Sequence, residues 1–232
     1  LASYQAVRAL NAQQSVNVGL AGFGENFGVW ARRTGCDGWQ VGVLGGVFAQ
    51  FNLDAPSADL INADYIIGIP ISWRSGPLSA RVRLYHQSSH LGDEFLLGNP
   101  GFNRINLSFE ELEGIFSVDF WWIRVYGGGG YLVSREPDLD RVRGQWGAEL
   151  RLPPLPLPEP GSPVPVVGAD FKSFEQLNWE INANVVAGLE WSGSKTTRRL
   201  RLLVNYYHGF NPYGQLFNQK IETIGIGLYF AF

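Results

Sequence analysis

Alternation with a period of two runs through almost the whole of this chain, and few folds can accept it. In 39-WQVGVLGGVFAQFNL-53 the odd positions read Trp39, Val41, Val43, Gly45, Val47, Ala49, Phe51 and Leu53. In 178-NWEINANVVAGLEW-191 one face carries Trp179, Ile181, Ala183, Val185, Ala187, Leu189 and Trp191, and the other carries Glu180, Asn182, Asn184 and Glu190. In 199-RLRLLVNYYH-208 Leu200, Leu202, Val204 and Tyr206 oppose Arg199, Arg201, Asn205 and Tyr207. Successive side chains of a strand point to opposite faces, so each segment is a strand with one greasy and one polar face. The runs are about 12–16 residues long, against the five or six usual in soluble sheets.

Long two-faced strands suit a tilted membrane span. No run of 18 apolar residues exists, so a transmembrane helix is ruled out. A transmembrane strand needs only about 9–11 residues, half of which face a polar lumen. The near-neutral mean hydropathy of -0.05 is what such a barrel averages to. Aromatics cluster near strand ends, at Trp30, Trp39, Trp73, Trp121, Trp122, Trp191, Phe230 and Phe232, as an interfacial girdle requires. The net charge of -3 carries no nucleic-acid footprint. The single cysteine, Cys36, has no partner for an intramolecular disulfide and no metal-ligand spacing around it.

The pattern predicts one all-β domain over 1–232, a closed antiparallel transmembrane barrel of 12 strands in the bacterial outer membrane. The strands fall near 2–9, 15–33, 38–53, 63–75, 78–91, 102–119, 121–135, 141–152, 164–175, 178–192, 197–210 and 219–232. The second is expected to carry a bulge at 21-AGFGEN-26. An even count puts both termini on the periplasmic side, with 54–62, 92–101, 136–140 and 211–218 as extracellular loops. The proline-rich connection 153-PPLPLPEPGSP-163 cannot pair in a sheet. It reads as a rigid spacer or as a docking arm for a periplasmic partner.

The polar faces then line the lumen. Arg81, Arg83, Arg104, Glu110, Arg124, Arg141, Arg143, Glu149, Arg151, Asp170, Lys172, Glu180, Glu190 and Arg201 are expected inside. Charges of both signs crowded in a narrow barrel should pair and plug it. A small arginine-lined channel favouring anions is the alternative.

One stretch breaks the rule that the outer face is apolar. In 81-RVRLYHQSSHLGDEF-95 the arginines share a face with Tyr85 and Gln87, which leaves His86 and Ser88 with Val82 and Leu84 on the lipid side. The next strand, 102-FNRINLSF-109, is expected to put Asn103 outward at the same height. His86, Ser88 and Asn103 would then serve as base, nucleophile and orienting group. A serine hydroxyl is a poor nucleophile until a neighbouring imidazole takes its proton, and a third polar group must hold that imidazole in the useful tautomer. Asp93 and Glu94, just past the strand, would supply a calcium ligand or replace Asn103. Ser89 and His90 are rivals, although alternation turns Ser89 inward. The structural alternative is a polar barrel rim or a patch touching lipopolysaccharide.

Over nearly its whole length the sequence resembles a bacterial outer-membrane family, the domain-of-unknown-function family numbered 1207. The carrying motifs are 25-ENFGVW-30, 48-FAQFNLDAPSADLINADYIIGIP-70, 83-RLYHQSSHLGDEFL-96, 102-FNRINLS-108, 125-VYGGGGYL-132 and 169-ADFKSFE-175. The resemblance implies an outer-membrane setting and brings no activity. Locally, 86-HQSSHLG-92 and 103-NR-104 are similar to the His-x-Ser-Asn-Gly and Asn-Arg motifs of the outer-membrane phospholipase A family. That likeness implies His86 as base, Ser88 as nucleophile and Asn103 as orienting group. Ser89 and His90 stand where that family has Asn-Gly, and Asn103 is further from the serine. Lipid A deacylases also use an outward His-x-Ser, together with a glutamate. The final strand with its terminal Phe232 looks like the signal read by the outer-membrane insertion machinery.

The expected partners are outer-membrane lipids, phospholipid or lipopolysaccharide, and no nucleic acid. Three functions compete: a lipid-face serine esterase, a structural or partner-binding barrel, and a narrow channel.

Overall fold

In a computed structural model, which describes residues 1–10, 14–156, 162–193 and 198–231, the chain closes on itself as a barrel of 12 antiparallel strands. They are β1 (Ala2–Ala9), β2 (Val16–Thr34), β3 (Asp37–Asn52), β4 (Asp59–Ser75), β5 (Leu78–Leu91), β6 (Leu107–Phe120), β7 (Ile123–Glu136), β8 (Val142–Arg151), β9 (Val164–Phe174), β10 (Ile181–Ser192), β11 (Arg199–Phe210) and β12 (Lys220–Ala231). Each pairs with its sequence neighbours, and β1 pairs with β12 to close the wall. Closure removes every sheet edge along the paired length, so the backbone donors and acceptors there are satisfied within the wall. Phe232, residues 157–161 of the proline-rich connection and 194–197 of the β10–β11 turn lie outside the described residues.

The alternation sorts the side chains as the pattern requires. Ile67, Ile69, Val82, Leu84, Leu112, Val204, Ile224 and Ile226 all stand exposed on the outer surface. Exposure on this scale, around a closed wall, fits hydrocarbon rather than water. At one end the connections are tight: Gly35 and Gly76 take positive φ (64° and 53°) in the β2–β3 and β4–β5 turns, a conformation that costs residues with a Cβ. Trp39, Trp73, Trp121 and Trp122 gather at this end. The other end carries longer connections, with a short helix α1 (Asp93–Gly98) and 3-10 turns at Glu175–Leu177 and Gly214–Leu216.

Several expectations change. The stretch 21–26 pairs without interruption, and the β2 irregularity sits between Gly28 and Trp30 instead. The sixth strand begins at Leu107 rather than near 102, because α1 and an irregular segment occupy the intervening chain. Arg104 therefore lies exposed in a loop, and Glu180 sits just before β10, ion-paired with Lys220 at 2.5 Å.

The lumen is crossed by an ion cluster. Arg143 on β8 bonds Glu111 through Nε at 2.5 Å and Glu113 through Nη2 at 2.6 Å, both on β6. Arg83 and Arg81 of β5 reach Glu113 at 2.8 and 3.0 Å, and the Tyr85 hydroxyl donates to Glu111 at 2.6 Å. For Arg143 to reach β6 it must pass over β7, and the glycine run of β7 leaves the space. Gly130 stands in register between Glu113 and Arg143, and a Cβ there would lie 1.7 Å from Glu111 Oε1. Both carboxylates are almost fully buried, so each needs its cations: an unpaired buried charge costs several kcal/mol. A second cluster, Glu190 with Arg151 and Arg201 at 2.6 Å each, lies nearer the tight-turn end. The cluster at Glu111 and Glu113 lies between a 480 Å³ chamber that opens among the long loops and a 550 Å³ chamber at the tight-turn end.

Candidate active site on the outer wall

The site begins with the two strands that carry it. On β5 the inward residues Tyr85 and Ser89 are buried, at 6% and 1% exposure, while Val82 and Leu84, on either side of Arg83, face out. By the same alternation His86, Ser88 and His90 face outward. On β6 Leu107, Glu111, Glu113 and Ser117 are buried and inward. Ser108, Glu110, Leu112 and Phe116 therefore face out. Glu110, expected in the lumen, belongs to the outer wall: the real inward pair is Glu111 and Glu113, which meet the lumenal arginines.

Register then brings the polar residues together. His86 stands directly across the β5–β6 ladder from Glu110, and Ser88 directly across from Ser108. His86 Nδ1 lies 2.8 Å from Glu110 Oε1. An ionised carboxylate only accepts, so this nitrogen carries the proton and Nε2 is left as the basic site. Ser134 of β7 stands opposite Glu110 on its other side. The side chains of His86 and Glu110 remain partly open, at 39% and 41% exposure, so an approaching molecule can reach them.

Ser88 is two residues from His86 on one face, about 6–7 Å at the Cα atoms from the strand rise. Its hydroxyl makes no hydrogen bond among the described residues. A serine–histidine contact is often loose until substrate is bound. On its other flank Ser88 faces Tyr65 of β4. Tyr65 packs edge-on against the rival base His90, ring centroids 5.7 Å apart. His90 makes no hydrogen bond to a carboxylate among the described residues, so nothing sets its tautomer. Ser89 is committed elsewhere: it donates to Asn62 at 2.9 Å and accepts from the Gln215 backbone N–H at 3.2 Å, inside the barrel.

Asn103 does not join the site. It lies exposed in the irregular segment before β6, and no hydrogen bond among the described residues links it to His86. The reason is the chain between the strands: α1 and the 102–106 segment carry Asn103 away from the ladder, while the Ile105 N–H is tied to Gln215 at 3.1 Å. The residue that the ladder brings to His86 is Glu110, not Asn103. The signal was present in 109-FEELEGIF-116, where Leu112 and Phe116 share a face with Glu110. Asp93 and Glu94 lie exposed in the first turn of α1. Among the described residues no group of three His, Cys, Asp or Glu gathers that could hold a metal. Calcium takes six to eight oxygens, which this pair alone does not offer.

Comparison with known proteins agrees with the fold. The outer membrane phospholipase A of Escherichia coli superposes with a TM-score of 0.66 over 98% of this chain and 87% of its own, at 14% identity. The Salmonella typhi outer membrane phospholipase dimer with bound calcium gives 0.64 over 98% and 88%, also at 14% identity. The beta domain of the Bordetella autotransporter BrkA gives 0.54 over 100% and 97%, at 11% identity. Identity this low establishes an outer-membrane-type barrel and nothing finer. A family model described as "Protein of unknown function (DUF1207)" matches residues 2–232. No curated protein matches the chain.

Proposed function

The chain belongs to the DUF1207 family, and we propose that it is a serine esterase of the bacterial outer membrane that cleaves acyl esters of membrane lipid at the outer face of its barrel. Ser88 is the nucleophile, His86 the general base and Glu110 the residue that orients it. The observation that carries this reading is the 2.8 Å bond between His86 and Glu110 on the lipid-facing wall beside an outward serine. A structural barrel has no need of an ordered, carboxylate-held imidazole among apolar side chains.

The reaction follows from the arrangement. A lipid diffusing along the wall brings its ester carbonyl to Ser88. Oγ attacks the carbonyl carbon as His86 Nε2 takes its proton, and Glu110 stabilises the imidazolium. Ser108, directly opposite Ser88, offers a hydroxyl donor for the oxyanion. The tetrahedral adduct collapses, the C–O bond to the lipid alcohol breaks, and His86 returns the proton to that alcohol. Water, deprotonated by the same nitrogen, then releases the acyl group as a carboxylate. No step is routed through calcium, because Asp93 and Glu94 do not by themselves form a cage for it.

The similarity in fold to two outer membrane phospholipases supports the reading as analogy only. With the long-loop end outside the cell, as expected for outer-membrane barrels, the site faces the outer leaflet. The test is acyl release from phospholipid and from lipopolysaccharide, each with labelled acyl chains, in vesicles holding the folded barrel. Wild type should release label, and Ser88→Ala should release none while keeping heat-modifiable migration. Release that persists in Ser88→Ala, or none from either lipid with folded wild type, would remove the proposal. A conducting barrel would instead show discrete current steps in planar bilayers.

A further inference from the structure

The chamber among the long loops lies on the opposite face of the wall from Ser88, and its lining is built for a different molecule. A row of polar side chains crosses four strands in register: Asp170 on β9, Asn184 on β10, Tyr207 on β11 and Thr223 on β12. All four line the chamber, as does Lys172, two residues from Asp170 on the same face. Facing this row are inward apolar and aromatic groups, among them Phe48, Ile66 and Phe109. Lumenal residues need no apolarity for lipid contact, so these rings serve something inside.

Two observations point to a ligand. First, Gln50 and Thr223 are buried, at 4% and 3% exposure, yet Gln50 Oε1 and Thr223 Oγ1 have no hydrogen-bond partner among the described residues. Ser3 Oγ, in register with Gln50 through Leu20, is in the same condition. All three residues line the chamber. Buried polar groups are nearly always paired, so three unpaired on one wall call for a hydroxyl-bearing occupant. Second, Lys172 forms no ion pair among the described residues. The acids whose charges it feels are engaged elsewhere: Asp170 accepts from Tyr126 and Gln145 at 2.7 Å each, and Glu113 belongs to the ion cluster. A lysine left without a carboxylate in a lined chamber wants an anion.

We propose that this chamber binds an acidic sugar, a monosaccharide-sized ring bearing hydroxyls and one carboxylate. Lys172 takes the carboxylate, Gln50, Thr223 and Ser3 take hydroxyls, and the aromatic wall takes the apolar face of the ring. The volume, 480 Å³, lies within the range of about 300–1,000 Å³ typical of small-molecule sites. Asp140, Leu177 and Tyr213, from three different loops at the long-loop end, also line the chamber. The sugar can arrive free or as the end residue of an acidic polysaccharide.

The experiment is calorimetric titration of the folded barrel in a maltose-free detergent with galacturonate, digalacturonate, galactose and acetate. Galacturonate should bind at least tenfold more tightly than galactose and acetate. Lys172→Met should erase that preference, Lys172→Arg should keep much of it, and Thr223→Val should weaken both sugars. Ser88→Ala should leave binding unchanged, which separates this site from the esterase. Digalacturonate binding more tightly than the monomer identifies a chain end as the ligand, and equal binding identifies the free sugar. Equal affinity for galacturonate and galactose, or a preference that survives Lys172→Met, overturns the proposal, as does a chamber that binds none of the four.

Discussion

Glu110 stands directly opposite His86 in the β5–β6 ladder, its Oε1 2.8 Å from Nδ1, and the pair lies on the outer face of the barrel rather than in the lumen. The catalytic reading turns on this pair, and it separates Glu110 sharply from Asn103. Glu110→Gln should keep the shape and lose the tautomer control, lowering kcat by about 10²–10⁴. Asn103→Ala should change it less than about threefold, since that side chain is exposed and away from the site. Steady-state kinetics on a labelled phospholipid decides between them. The reverse order would restore Asn103 as the orienting group.

Glu113 holds three arginines, and its loss should be felt through the whole wall. Glu113→Ala leaves Arg143 and Arg83 short of a counter-charge in a confined lumen. Removing one partner of a buried pair costs about 3–5 kcal/mol. Urea unfolding of the barrel in detergent should show a loss of that size. Adding Arg143→Met to the same chain should recover part of it, because one orphaned charge goes too.

Gly130 tests the same cluster from the backbone side. A methyl group there collides with Glu111 Oε1, and Glu111 cannot simply swing away because Arg143 and Tyr85 hold it. Gly130→Ala should therefore destabilise the barrel and raise single-channel conductance as the cluster opens. Gly45→Ala, whose Cβ would meet nothing within 4 Å, is the matched control and should do neither.

Asp54, in the β3–β4 connection, accepts the Asn17 backbone N–H at 2.8 Å and its side-chain amide at 2.7 Å. The backbone bond, and then the side-chain bond, hold its carboxyl below the usual aspartate range. A lowered folded value means the tether contributes above the ordinary aspartate range and is lost as pH falls through the lowered value. Amide exchange at Asn17 should accelerate across that acid interval in wild type. In Asp54→Asn the acceleration should be absent.

The barrel itself was legible because a lipid-spanning strand must obey a rigid rule. Side chains alternate, hydrocarbon accepts only one kind and the lumen the other, so 12 strands and most of their ends could be read by counting. The placement of His86 and Ser88 on the outer face followed from the same rule applied within β5. What counting could not supply was phase across a loop. Between Leu91 and Leu107 the chain makes a helix and an irregular segment, and alternation restarts after them with no memory of the strand before. A one-residue error in that restart exchanges the two faces. It sent Glu110 to the lumen and Asn103 to the wall. Register across β5 and β6, the passage of Arg143 over the glycines of β7, and the meeting of Lys172 with the unpaired polar atoms of Ser3, Gln50 and Thr223 in one chamber are relations between distant segments. They were decided only when the sheet closed, because hydrogen bonding between strands, not periodicity within them, sets which residues become neighbours.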